Sequence, residues 1–363
     1  MLCSGCGCQT FQQQAQQQRR PGGAAEDTWE REQREKLKAW LLPRTGFRFV
    51  HEGQSLHVRH WLPPEQGSAR GVIFYIHGLN GHINRPSLDS SCKELAENCY
   101  AVLSFDQAGN GYSDGLRAYV SDFEDVFKSV LHLVQLVMEG PNHPEDGDNL
   151  GLSDAVARHL RKLPFFFFGE SMGGMLAMYA SIRLSEMSPS WAAQHRGTIL
   201  IAPALKVDTP PRPVILLLQT IVVPLASTQL MSDMVSSSSK PKTELVCRDA
   251  EHVRMCELDD WNRFPGLGLG WQTQMRWATA SAFATIYSRI EQDMGLVACP
   301  LLVLHDPEDK VCDYEGSQRL MQLCVSSDKK LVDAPNCLHD IRFNDTPWCM
   351  AQVLPWLAAR CQK

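Results

Sequence analysis

Four consecutive phenylalanines, Phe165 to Phe168, run directly into Gly169-Glu170-Ser171-Met172-Gly173, and no helix breaker follows until Pro189. A short run so rich in rings has the length of a strand buried on both faces, and the stretch after Ser171 has helical length. Strand, sharp turn and helix in that order leave few folds open. A glycine on each flank of the serine suits a turn so tight that larger side chains would strike the neighbouring strand or helix. The strain of such a turn lifts the serine hydroxyl into open space, the setting of a nucleophile.

The rest of the chain extends the alternation. Phe47 to Val50 and His57 to Leu62, separated by Glu52-Gly53-Gln54, read as an antiparallel hairpin. Buried strands are expected at Val72 to Ile76, Ala101 to Phe105, Thr198 to Ala202, Leu301 to Leu304 and Lys330 to Val332. Helices are expected at Ser87 to Asn98, Val120 to Met138 and Ser153 to Leu163. The pattern predicts an α/β class: a mostly parallel sheet covered by helices on both faces, with ligands at the carboxyl ends of the strands.

Two stretches break the rhythm. Gly140 to Asn149, rich in proline, glycine and acid, reads as a solvated loop. From about Lys206 to Met294 the chain carries Pro210, Pro211 and Pro213, the apolar run Val214 to Ala226, and then Trp261, Trp271 and Trp277. This stretch reads as a helical cap, 206–295, inserted into an α/β core of 26–205 and 296–363. Val214 to Ala226 is too short to span a bilayer and is broken by Gln219 and Pro224. It is expected to pack against the cap, with lipid contact through an exposed face as the second reading. A capped helix from Asp27, carrying Trp29, Leu37, Trp40 and Leu41, is expected to dock on the main domain.

A net charge of -6, with no basic stripe after Arg19 and Arg20, gives no electrostatic footing for nucleic acid. Ten of the 13 cysteines are scattered singly from Cys92 to Cys361 without metal-ligand spacing, which suits reduced thiols in the cytosol. The first twenty residues hold no apolar segment that would serve as a signal peptide. Cys3, Cys6 and Cys8 instead precede the glutamine-rich Gln9 to Gln18 in a leader, 1–25, too polar to pack. Acylation of these thiols would tether the protein peripherally to a membrane. No metal or organic cofactor is implied.

A serine hydroxyl is a poor nucleophile until a base takes its proton, and the base must itself be held in the right tautomer. In a strand-turn-helix arrangement the order is serine, acid, histidine. Leu301 to Leu304 leads into His305-Asp306-Pro307-Glu308-Asp309, and Lys330 to Val332 leads toward His339, the only histidine after His305. Spacing alone leaves Asp306, Glu308, Asp309 and Asp313 as acids; Asp306, before proline, suits a turn cap, and Asp309 is preferred. The oxyanion of an acyl intermediate needs two backbone donors. Met172 supplies one by position, and Leu79, in the turn His77-Gly78-Leu79-Asn80-Gly81, is the expected second. His77, at a buried strand end, reads as structural. Cys312 and Cys337 flank the acid and the base, with apolar packing as their ordinary role.

On these residues the chain resembles the monoglyceride lipase and lysophospholipase branch of the α/β-hydrolases, which includes caffeoylshikimate esterase-like and serine aminopeptidase-type members. The marks are His77-Gly78, the segment Asp106 to Arg117, the elbow Gly169 to Gly174, and Asp309-Lys310-Val311-Cys312-Asp313. The resemblance spans about Phe47 to Leu357 and is what settles Asp309 as the acid. It implies Ser171, Asp309 and His339 as catalytic residues and Leu79 and Met172 as oxyanion donors. Leu79-Asn80-Gly81-His82 stands where the family usually has a small residue and an acid, and Asn110 replaces a histidine. The implied function is hydrolysis of lipid esters, monoacylglycerol or lysophospholipid, by a cytoplasmic enzyme with peripheral membrane contact through the cap or the N-terminal cysteines. A small phenolic-ester esterase, an acyltransferase and a non-catalytic receptor are the competing expectations.

Overall fold

The computed structural model describes Glu32 and residues 46–361, except 66, 80, 141–148, 207–210 and, within 230–274, all but 231, 246–249, 253, 263–264 and 268–269. The leader, nearly all of the helix expected from Asp27, most of the loop 140–149, and Trp261 and Trp271 lie outside the described residues.

Strands β1 (Arg48–His51) and β2 (Gln54–Trp61) pair antiparallel, with Arg48 opposite His57 and His51 opposite Gln54. Glu52 and Gly53 both take positive φ, 48° and 77°, as a two-residue turn matched to strand twist requires. Then follow β3 (Gly71–Ile76), α1 (Pro86–Glu97), β4 (Tyr100–Phe105), α2 (Phe123–Met138), α3 (Asp154–Leu160), β5 (Phe165–Glu170), α4 (Met172–Met187) and β6 (His195–Ile201). The helix expected from Val120 begins three residues later because Asp122 accepts from the Glu124 amide and caps it.

Beyond β6 come α5 (Arg212–Leu217), a π turn over Leu218–Val222, α6 (Val223–Ala226) and the short pair β7 (Arg263–Phe264) and β8 (Gly268–Leu269). Helices α7 (Trp277–Tyr287) and α8 (Ile290–Met294) return the chain to β9 (Leu301–His305), α9 (Tyr314–Leu323), β10 (Lys329–Asp333), α10 (Ile341–Asn344) and α11 (Thr346–Cys361).

The eight strands order as β1-β2-β4-β3-β5-β6-β9-β10, and all pairs from β4 onward are parallel. The sheet therefore buries both faces, and the phenylalanine run serves both. Phe165 and Phe167 enter the core beneath α2 and α4, whereas Phe166 and Phe168 enter the one beneath α1 and α11. Phe168 stacks on Tyr75 of β3 at 4.9 Å between centroids. Each such ring withdrawn from water contributes about 2–3 kcal/mol, so β5 is among the best-anchored strands of the sheet.

Two parts of the stretch between β6 and β9 behave differently. Ala282, Ile286, Ile290 and Met294 of α7 and α8 join the same core as α2 and α4. Thr279 bonds Ala118 O and the Val120 amide, both at 2.8 Å, and Tyr287 bonds Ala204 O. The Arg212–Ala226 segment, by contrast, buries none of its residues. Val214, Leu216, Leu217, Ile221 and Leu225 stand at least half exposed, whereas Ile215, Leu218, Val222 and Val223 are half-buried and Gln219 bonds Thr285 of α7 at 2.9 Å, so the run packs with one face and displays the other. Among the described residues no helix is long and apolar enough to cross a membrane.

Candidate active site

At the carboxyl end of β5 the chain reverses through Ser171, whose φ of 55° is unusual for a residue with a side chain. Glycine is enforced around it: a Cβ on Gly169 would sit 2.1 Å from Gly173 O, and one on Gly173 would sit 2.1 Å from Ile76 O. The Ser171 amide bonds Ile201 O at 2.9 Å, and Ser171 O accepts from the Ala204 amide at 2.9 Å, fixing the elbow to β6 and the loop beyond it. Strain held this firmly concentrates where chemistry is done.

The turn after β3 abuts the elbow, since a Cβ on Gly78 would lie 3.2 Å from Ser171 Cβ. Leu79 follows and is half-buried against the larger core. Met172 opens α4, so its amide belongs to the helix's first turn, where N–H groups lack an intrahelical acceptor. His77 is buried; its Nε2 accepts from the Gln107 amide at 3.1 Å, and its Nδ1 lies 2.8 Å from Gly78 O. Burial lowers its pKa, so the ring is neutral and acts as a brace between two loops.

The four carboxylates that crowd the loop after β9 separate cleanly. Asp309 Oδ2 lies 2.8 Å from His339 Nδ1, and its Oδ1 accepts from the Val311 and Cys312 amides at 2.7 and 3.1 Å. Asp306 caps its turn through the Glu308 amide at 2.8 Å. Its other oxygen accepts from the Cys337 and Leu338 amides at 2.5 and 2.6 Å, which ties the acid loop to the histidine loop. Leu338 needs that hold, because its φ is 54°. Glu308 pairs with exposed Arg248, and Asp313 caps α9 and pairs with Lys206.

Burial opposes charge on both members of the Asp309–His339 pair, yet their mutual attraction wins. Asp309 is held well below the ordinary carboxylate range by the His339 charge and the His305 and His339 N–H groups. His339 is raised well above the usual histidine value by the Asp309 charge, with the Cys312 thiol beside it. Cys337 is buried and its thiol is pushed up to about 11, so it is not a thiolate. The nine described cysteines are all free.

Sequence reasoning missed three contributors. Glu170, beside the serine, accepts from Tyr75 Oη at 2.8 Å and pairs with Arg342 at 2.9 Å. Arg342 is buried three residues past His339 and also donates to Ser87 O and Ser91 Oγ. Elbow and histidine loop are thus joined by an ion pair whose guanidinium is buried and whose carboxylate is half-buried. The third is His305, whose ring nitrogen Nε2 also reaches Asp309. Its place at the end of a core strand was the available signal. No group of three or more metal-ligating side chains occurs among the described residues.

The chain matches the Hydrolase_4 family, serine aminopeptidase S33, across residues 67–346. It is 27% identical to the monoglyceride lipase of Homo sapiens over 290 residues, covering 79% of this chain and 80% of that protein. It is 24% identical to the caffeoylshikimate esterase of Arabidopsis thaliana over 79% of this chain and 75% of that one. Among solved structures, the monoacylglycerol lipase of Paleococcus ferrophilus superposes with a TM-score of 0.62 at 20% identity, over 84% of this chain and 99% of that chain.

Proposed function

Because the chain belongs to the serine aminopeptidase S33 family of α/β-hydrolases, we propose that this carboxylic ester hydrolase acts on lipid esters, monoacylglycerol or lysophospholipid, through an acyl-enzyme on Ser171. The observations that support the reading are a strained elbow serine just past β5 and a histidine bonded to a buried aspartate, in loops that the Glu170–Arg342 pair links.

Ser171 Oγ attacks the acyl carbon as His339 takes its proton, and Asp309 keeps Nδ1 of His339 protonated so that Nε2 is the accepting atom. The Leu79 and Met172 amides stabilise the oxyanion. His339 returns the proton to the departing alcohol, and a water activated by the same imidazole hydrolyses the acyl-enzyme.

In this reading 206–295 serves as the cap, and α7 and α8, its described end, join the main core. The alkyl side chains displayed by Arg212–Ala226 support a greasy substrate and a peripheral seat on a lipid surface. Free thiols suit a reducing, cytoplasmic setting. Acylation of Cys3, Cys6 and Cys8 would add a second anchor.

The test is a panel of monoacylglycerol, lysophosphatidylcholine, triacylglycerol and a short phenolic ester, offered to wild type and Ser171→Ala. Serine-dependent fatty-acid release from monoacylglycerol or lysolipid is expected. Serine-dependent cleavage of the phenolic ester alone would move the enzyme to the small-ester branch, and activity retained in folded Ser171→Ala would remove the mechanism.

A further inference from the structure

His305 ends β9, four residues ahead of Asp309, and its ring is fully buried. Nε2 lies 3.1 Å from Asp309 Oδ2 and 3.1 Å from the Cys312 carbonyl oxygen, while Nδ1 lies 2.7 Å from Ser317 Oγ in α9. An ionised carboxylate and a carbonyl only accept, so the proton sits on Nε2. In the neutral ring Nδ1 then offers a lone pair, to which the fully buried Ser317 hydroxyl donates. A chain of donors runs from Ser317 through His305 into the oxygen of Asp309 that also receives His339. With the Val311 and Cys312 amides on Oδ1, that one buried carboxylate takes four donors.

We propose that His305, braced by Ser317, is a positioning residue that sets the basicity of His339 by sharing Asp309 Oδ2. The inference rests on His339 being the general base and specifies what tunes it. An oxygen that accepts from two imidazoles offers less to each than an oxygen that serves one. Removing the His305 N–H concentrates the Asp309 charge on His339, stabilises its imidazolium and moves its titration upward.

The groups facing this pair come from several elements. Cys312 and His339 both adjoin Asp309, and Asp313 and Tyr314 face His305, the tyrosine ring edge-on at 5.4 Å. Asp306 lies in the same loop, and the cations Lys206 and Arg248 are engaged outside it by Asp313, Glu315 and Glu308. The variants below leave all of these in place.

The experiment compares wild type with His305→Leu, His305→Gln and Ser317→Ala in two readouts. One is the pH profile of kcat/KM for monoacylglycerol hydrolysis; the other is titration of the His339 ring by nuclear magnetic resonance without substrate. In His305→Leu the acid limb and the resonance are expected to move up by roughly one pH unit. His305→Gln, which keeps a terminal N–H, should stay close to wild type, and Ser317→Ala should move in the same direction as His305→Leu but less. If His305→Leu does not fold, the difference between Ser317→Ala and wild type decides. An unmoved titration in the folded variants, whatever happens to kcat, overturns the inference and leaves His305 a packing residue. Because the resonance needs no turnover, a failure of the hydrolase reading is distinguishable from a failure of this one.

Discussion

The edge of the sheet and the Arg212–Ala226 helix solve opposite problems with opposite chemistry. At the edge, Asp306 and Asp309 are buried and all four of their carboxylate oxygens accept hydrogen bonds, so geometry is over-determined. On the helix no residue is fully buried, and large alkyl groups on one face point outward. On the proposed function, the contrast separates machinery that must not move from a surface suited to a fluid lipid. Substitutions in the two regions should therefore fail in different ways: chemistry or folding in the first, encounter with lipid in the second.

The largest effect belongs to Ser171→Ala, which should lower kcat by about 10⁶-fold with an unchanged melting temperature. Asp309→Asn should cost about 10⁴-fold, measured at the pH optimum, because the imidazole loses its tautomer and its partner charge. It should also displace the pH profile. His339 is raised above the usual histidine value, and as the proposed base it would act only when neutral, so wild-type activity should fall as pH drops through a point above about 6.5. Without the aspartate charge that limb should shift to lower pH.

Glu170→Gln probes the same region through stability. It leaves the buried Arg342 guanidinium without its anion, and chemical denaturation should show a loss of about 3–5 kcal/mol. The smallest effect on folding is expected on the helix. Leu217→Asp with Leu225→Asp, both at exposed positions, should change stability by only about 0.5 kcal/mol per site. Binding to phosphatidylcholine vesicles should nevertheless fall roughly tenfold, while turnover of a water-soluble ester is preserved. An equal loss on soluble and vesicle-borne esters would erase the distinction between the two regions.

What the chain discloses about itself follows the same division. Phe165 to Phe168 identify a doubly buried strand because a four-ring run has no other economical use, and Glu52-Gly53 names its turn through the backbone angles it tolerates. The positions of Ser171, Asp309 and His339 beyond the ends of core strands were legible, and so was the pairing of Asp309 with His339 once family likeness had chosen that acid over its neighbours. The Glu170–Arg342 pair was not legible, since 172 positions separate residues that meet only after the sheet is assembled. Nor was the exposure of Val214 to Ala226, because an apolar run reads alike whether it packs inward or faces a lipid.

The central claim is that Ser171 carries the acyl group, and covalent trapping tests it most directly. Wild type treated with an alkyl fluorophosphonate, digested and measured by mass spectrometry should carry one phosphonyl adduct, on Ser171, with loss of activity in proportion to labelling. The same treatment of His339→Ala should label far more slowly. An adduct on a different residue that tracks the loss of activity, or full activity with Ser171 completely modified, would contradict the account.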